Sequence, residues 1–445
     1  MNLTYGIKDK PKFGQVILFA IQQLLAIMAA TIAVPAIIGN GMSQTAALFG
    51  AGVGTLVYLL FTKFRSPVFL GSSFAFLGSM ATAFAGAVSM EAGYAGLIIG
   101  AAFAGLVYVV ISIVVKCCGV KWIDKIMPAV VIGPTVAIIG LSLAGNAVGD
   151  LTGASSTAST YVCIICGLVT LAVTMLCSVF GKKMLKMIPF IMGILAGYVV
   201  ATIFTLIGRA SGNDALIVVN FSLFQSIQWV PDFTFITAAK GIAQLDGAYI
   251  ATIAVAYVPV AFVVFAEHIA DHKNLSSIIG SDLLKEPGLH RTLLGDGIGS
   301  FAGAFFGGCP NTTYGESIGC VAISGNASVV TILATAILAI IISFFGPFAT
   351  FLATIPGCVM GGVCVALYGF IAVSGLKMLQ TVDLNNNKNL FVASVILIAG
   401  VGGMSVSFGK VTITEVACAL ILGILTNVML TSKKHESNTE APLQK

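Results

Sequence analysis

Asn311-Thr-Thr-Tyr-Gly-Glu-Ser-Ile-Gly319 is a polar run set inside apolar sequence, and an acid, Glu316, stands in its middle. A second run of similar character, Leu70-Gly-Ser-Ser-Phe-Ala-Phe-Leu-Gly-Ser79, lies far upstream. Each reads as a short extended stretch leading into a half-helix. Unpaired backbone N–H and C=O groups are tolerated at membrane depth only where a ligand, water or neighbouring protein satisfies them. Paired interruptions of this kind mark transport sites.

The surrounding sequence supplies the membrane. Of 445 residues, 58% are apolar and 9% are charged. A soluble protein carries roughly 25% charged residues, so this composition cannot cover a water-exposed surface. Runs such as Gly14 to Ile38, Leu97 to Val115 and Val329 to Phe348 are long enough to cross ~30 Å of hydrocarbon. The first run exceeds the length of a signal h-region and no small-residue cleavage site closes it, so it reads as a span. The 50 glycines suit close helix approach and broken helices.

Hydropathy gives fourteen candidate segments. The clearer ones are 14–38, 46–62, 92–115, 126–146, 159–180, 187–207, 247–270, 328–348, 354–376, 389–408 and 411–431. Shorter or glycine-rich ones fall at 68–87, 292–308 and 312–325. With the N-terminus placed inside, all of the 22 basic residues except Arg209, Lys240 and Lys410 fall on the inner side. The positive-inside rule therefore expects both termini in the cytoplasm. The net charge of +5 reports topology rather than affinity for nucleic acid.

Fourteen divides into seven plus seven, which inverts the second half. Pro128-x4-Gly133 and Pro356-x4-Gly361 open segments five and twelve. Gly193-Ile-Leu-Ala-Gly197 and Gly423-Ile-Leu-Thr-Asn427 recur in segments seven and fourteen. The expected organisation is a first inverted repeat over 1–210, an external linker over 211–246, a second repeat over 247–432 and a cytoplasmic tail over 433–445. The linker holds a β-prone run, Leu216-Ile-Val-Val-Asn-Phe-Ser-Leu223.

Two acids stand out. Glu267 closes the apolar run from Val258 to Ala266, and Glu316 sits in the broken segment ten. A charge at a helix centre costs about 2.5–3.5 kcal/mol on insertion scales, so such acids persist when they serve function. A structural hydrogen bond to a neighbouring helix is the plainer alternative. Asp271 lies one turn beyond Glu267 on the same face and can share its proton or its hydrogen bonds. His268 adjoins Glu267, whereas His272 reads as lying at the cytoplasmic edge. Asp296 and Glu415 read as interfacial. No second His-rich segment completes a metal site. The ten cysteines read as buried thiols. No P-loop or nucleophile–base set is visible, so the chain reads as a transporter without cofactor and not as an enzyme. Carboxylates facing half-helix N–H groups suit a planar ring that alternates N–H and C=O. Phe74 can stack on such a ring.

Gln22-Gln23-Leu-Leu-Ala26, Gly71-Ser-Ser-Phe-Ala-Phe76, Ala266-Glu-His268, Glu286-Pro-Gly-Leu-His-Arg291, Asn311-Thr-Thr-Tyr-Gly-Glu316 and Met360-Gly-Gly362 occur in this order. With that set the chain resembles the nucleobase–ascorbate transporter family, and within it the bacterial uracil permeases. The resemblance implies an all-α polytopic fold of 7+7 inverted repeats with short strands in segments 3 and 10. Segments 1–4 and 8–11 would form a core, and segments 5–7 and 12–14 a gate. It also implies that Glu267 and Glu316 hold the nucleobase, with Phe74 and Gly315 offering backbone N–H groups and Ala30, Tyr314 and Tyr368 lining the pocket. Proton coupling would involve Glu267, His268 and Asp271. The implied activity is import of a nucleobase, uracil first, by proton symport across the cytoplasmic membrane, by a homodimer. A xanthine or purine permease of the same fold, or a passive channel, are the alternatives. The chain departs from the uracil-permease pattern at Gln23, where the family has His, and at Asp271, where a second His is usual. It departs again at Ser317-Ile-Gly319, where Asn-x-Gly is usual.

Overall fold

The computed structural model describes residues 3–119, 128–153, 156–182, 185, 188–225, 227–408, 411–413 and 415–431. The expected tail over 433–445 lies outside these residues, as do Lys121, Lys125, Lys183, Lys186 and Lys410.

The first half contains α1 (Phe13–Ile38), α2 (Gln44–Phe61), β1 (Leu70–Ser72), α3 (Leu77–Ala85) and α4 (Met90–Cys118). It continues with α5 (Ala129–Ser142), α6 (Ala144–Leu151), α7 (Thr160–Phe180) and α8 (Pro189–Ser211). A linker carries α9 (Thr234–Gly241). The second half contains α10 (Gly247–Ile279), α11 (Leu289–Gly307), β2 (Asn311–Thr313), α12 (Gly315–Ser324), α13 (Val329–Ser343) and α14 (Gly346–Ala353). It ends with α15 (Gly357–Leu379), α16 (Asn387–Val401), the strands β3 (Val406–Phe408) and β4 (Val411–Ile413), and α17 (Glu415–Leu430).

Helix ends follow their local chemistry. Ser43, Ser89 and Asp246 accept the backbone N–H groups of Ala46, Ala92 and Tyr249 and so start α2, α4 and α10. Pro189 opens α8, and Gly212 and Gly280 close α8 and α10 in the left-handed conformation.

Among the described residues, eight helices are long and apolar enough to cross a membrane, and α13 with α14 makes a ninth span bent by 81°. The remaining five of the fourteen expected segments are the short helix Phe74–Ala85, α11, α12, α16 and α17. The expected fold class holds: a polytopic α-helical membrane protein with short strands in segments 3 and 10.

The helices pack in two groups. In the first, α11 packs against α2 and α4, α10 against α4, and α13 against α1 and α2. In the second, α15 packs against α5, α6 and α7, α8 against α7, and α16 against α5 and α17. Glycine allows the closest approach: a Cβ on Gly54 would sit 2.7 Å from Gly299 O, and one on Gly299 would sit 2.7 Å from Gly54 O. β1 and β2 pair antiparallel, Gly71 opposite Thr312, so the two broken segments meet inside the first group.

Three local expectations are corrected. The run Leu216–Leu223 forms no strand; 3₁₀ turns occupy Asp214–Leu216 and Phe221–Gln225, because Asn213 and Asn220 side chains cap the local N–H groups. Segment eight does not stop at 270 but runs as helix to Ile279. Segments thirteen and fourteen are shorter than their apolar lengths, since 406–408 and 411–413 pair as a hairpin. Strands of three residues are too short for a period-2 pattern to stand out within an apolar window, so hydropathy does not separate them from the helices they adjoin.

Candidate functional site

The two broken segments build the site. β1 leads through a 3₁₀ turn at Phe74–Phe76 into α3, and β2 leads through Tyr314 into α12. The Tyr314 hydroxyl donates to Ser72 O at 2.7 Å and ties the end of one strand to the other. A Cβ on Gly71 would collide with the Tyr314 ring and lie 2.9 Å from Thr31 Oγ1, so only glycine fits there. Gln23 Nε2 donates to Ser317 Oγ at 2.5 Å, and Ser317 Oγ accepts from Phe69 N at 3.2 Å. Gln23 and Ser317, two of the departures from the uracil-permease pattern, therefore bond each other and hold α1 to the start of the strand crossing.

A cavity of about 360 Å³ lies between this crossing and helices α5, α8 and α15. Glu267, Glu316, Phe74, Tyr314 and Gly315 line it together. Glu267 comes from the continuous helix α10, and Glu316 from the first turn of the half-helix α12. The two acids are half-buried. Asp271 lines the same cavity one turn beyond Glu267, and its Oδ2 accepts from the Thr313 hydroxyl at 2.6 Å. Ala30 and Tyr368 are buried, at 1% and 2% exposure, but they are not on the cavity wall. Tyr368 stands behind Phe74, edge to face, with ring centroids 6.0 Å apart.

His268 points away from the cavity into the first helix group and is fully buried. Its Nδ1 lies 2.7 Å from Asp296 Oδ2, and its Nε2 lies 3.0 Å from Thr292 Oγ1. The Thr292 hydroxyl donates to Leu289 O at 3.0 Å, so it accepts from the Nε2–H of His268. One proton is then left for the link between His268 and Asp296.

Asp296 is 1% exposed and so is not interfacial as its sequence position suggests. The turn it makes with His268 across α10 and α11 joins residues 28 apart in sequence. His272 is not at a solvated edge either: it is fully buried, stacked on His268 with centroids 4.0 Å apart. Its Nδ1 lies 2.8 Å from His268 O, and its Nε2 lies 2.7 Å from Tyr58 Oη. The extension of α10 to Ile279 places it inside the bundle. Glu415 opens α17 and lines a narrow cleft with Phe74, Gly78 and Ser79, rather than facing open solvent.

Two hydroxyls escape sequence reasoning. Ser73 Oγ and Thr312 Oγ1 are buried without a hydrogen-bond partner among the described residues, and both residues line the cavity. A serine or threonine in a polar run carries no mark of its own in sequence. Its unsatisfied state emerges only once the strands are paired.

Residues 14–408 match the model of the Permease family. The chain is 38% identical to the uracil permease of Bacillus subtilis (strain 168), over 98% of this chain and 97% of that one. It is 36% identical to the uracil permease of Escherichia coli (strain K12), over 94% and 92%.

The chain belongs to the nucleobase–ascorbate transporter family.

For a member of this family the fold has wider kin. The transmembrane domain of the cyanobacterial bicarbonate transporter BicA superposes with a TM-score of 0.61 at 15% identity, covering 95% of this chain and 99% of that one. The murine anion transporter Slc26a9 in its inward-facing state gives 0.66 at 14% identity, covering 95% and 69%. These neighbours share the 7+7 inverted-repeat fold, and at this identity the likeness concerns fold alone.

Proposed function

We propose that the chain imports a nucleobase, uracil first, by proton symport. The observation that carries this is one cavity on which Glu267 and Glu316 stand together with Phe74, at the crossing of two broken segments. A base would place its N–H groups on the carboxylates, its carbonyl on the backbone N–H of Gly315 or Phe74, and its face on the Phe74 ring. Ser73 and Thr312 offer further hydroxyls for ring carbonyls. The uracil permeases among the relatives support the choice of base.

Three carboxylates, Glu267, Asp271 and Glu316, face this one space. A proton taken up with the base removes one negative charge from it, which supports coupling to protons. Asp271 also supports a second reading. A bicyclic base such as xanthine presents more N–H groups, and a third acceptor on the wall serves them.

In this reading the first helix group is the core and the second is the gate, over repeats 1–210 and 247–432. Both termini face the cytoplasm, and the assembly is a homodimer in the cytoplasmic membrane. The cavity reaches Phe190 in the first turn of α8 and Met378 in the last turn of α15. The neighbouring Lys182 and Lys377 assign those ends to the inside, so the cavity opens inward.

Uptake of labelled uracil into proteoliposomes, with and without an inward proton gradient and with unlabelled xanthine as competitor, tests the proposal. Accumulation driven by the gradient is expected. Gradient-independent equilibration sinks the symport, and strong xanthine competition with weak uracil uptake moves the substrate to purines.

A further inference from the structure

A second, much smaller space adjoins the site on the side away from Phe190 and Met378. It is a cleft of about 20 Å³ between the first-group residues Phe74, Gly78, Ser79 and Val260 and the second-group residues Ile139 and Glu415. Phe74, Ala75 and Ile139 belong to the walls of both spaces, so a thin partition separates them. Gly78 and Ser79 lie further along α3 than Phe74, toward its far end at Ala85. Ile139, Ser142 and Leu143 lie at the end of α5 opposite Ala129. The β3–β4 hairpin lies against α10 just above the start of α17. The cleft therefore continues the line of the cavity toward the end of the bundle that the proposed topology places outside, and among the described residues Glu415 is the one titratable residue on its wall.

Nothing in the inward-open site uses Glu415. Its helix, α17, has 16 residues, or about 24 Å at 1.5 Å per residue. Against ~30 Å of hydrocarbon, that length supports, in the proposed topology, a place for Glu415 below the outer surface. A carboxylate at that depth carries a cost, and it faces the seam along which the two helix groups must separate for the site to open outward.

We propose that Glu415 is a substrate-selecting residue of the outward route. When the seam opens, its carboxylate stands ahead of Phe74 in the path of the incoming molecule. It accepts a hydrogen bond from a planar, neutral ring bearing N–H groups and repels anionic rings. The molecule then passes the Phe74–Ile139 partition to Glu267 and Glu316. The proposal rests on the transport reading above.

The test uses the asymmetry of this placement. Full-length protein is reconstituted in oriented proteoliposomes, and uracil influx and efflux are measured for the wild type, Glu415→Gln and Glu415→Asp. Inhibition of influx by external orotate, a carboxylated pyrimidine, is measured alongside. Glu415→Gln is expected to raise the KM for influx about tenfold, the loss of one charge-assisted hydrogen bond. It is expected to leave the KM for efflux within twofold and to make orotate a better inhibitor of influx. Glu415→Asp is expected to keep most of the wild-type influx KM. Equal changes in both directions, or no change in either influx or orotate inhibition, overturn the proposal. If wild-type protein moves no uracil in either direction, the transport reading has failed instead.

Discussion

The acids at the cavity were legible because they are costly. Glu267 and Glu316 stand in sequence too apolar to leave them without use, and the structure brings both to one space. Asp296 and His272 were not legible. Each has a partner far away in sequence, Asp296 in His268 and His272 in Tyr58, and only helix packing decides that they are buried. Replacing Glu316 by Gln keeps the shape and removes the charge. The dissociation constant for uracil is expected to rise at least about tenfold, since hydrogen bonds to charged groups contribute about 1.5–3 kcal/mol. Calorimetry on purified protein reads this, and unchanged affinity removes Glu316 from the site. Thr312→Val is nearly isosteric and removes a hydroxyl that has no partner among the described residues. It is expected to weaken uracil binding about fivefold while leaving the melting temperature within a few degrees. A large drop in melting temperature with unchanged affinity would make Thr312 structural.

Among the elements, long continuous helices were read correctly because twenty apolar residues have few alternatives in a membrane. The broken segments were read from their polar, glycine-rich composition. The β3–β4 pair was missed because its apolar–polar alternation, Val406-Ser-Phe408 and Val411-Thr-Ile413, lasts only three residues a strand at the ends of longer apolar runs. Close packing between α5 and α15 gives a test at this scale. A Cβ on Gly375 would collide with the backbone of Ala137 and Gly133, whereas a Cβ on Gly369 of the same helix meets nothing within 4 Å. Gly375→Ala is expected to destabilise by about 1–3 kcal/mol through overpacking. Gly369→Ala is expected to be neutral or slightly stabilising. Thermal unfolding in detergent, followed by tryptophan-independent circular dichroism, compares the two. Equal midpoints would show that α5 and α15 do not pack through Gly375.

For the whole molecule, binding at a seam between two helix groups links occupancy to global stability. At a hundred times its dissociation constant a ligand adds about 2.7 kcal/mol to the folded state. Uracil is therefore expected to raise the apparent melting temperature of the wild type, with a rise of about half that size or less for Glu316→Gln at the same uracil concentration, and a rise of equal size in both would place the binding site elsewhere. The two repeats were themselves partly legible, through the Pro-x4-Gly openings at Pro128 and Pro356, whereas the division into helix groups came only with the family resemblance. How the groups are joined was not legible, because the run Val329 to Phe348 looks like an ordinary span. In the structure it breaks after Ser343, and the eight residues of α14 turn 81° to lie across the boundary before α15 begins. Eight helical residues make a strut of about 12 Å. A strut pivoting at both ends swings but does not stretch. Were the two groups to move as the proposed core and gate, such a strut would hold their travel to a fixed arc, and lengthening α14 by a single turn would be expected to change the stroke while every residue proposed to touch the base stays as it is.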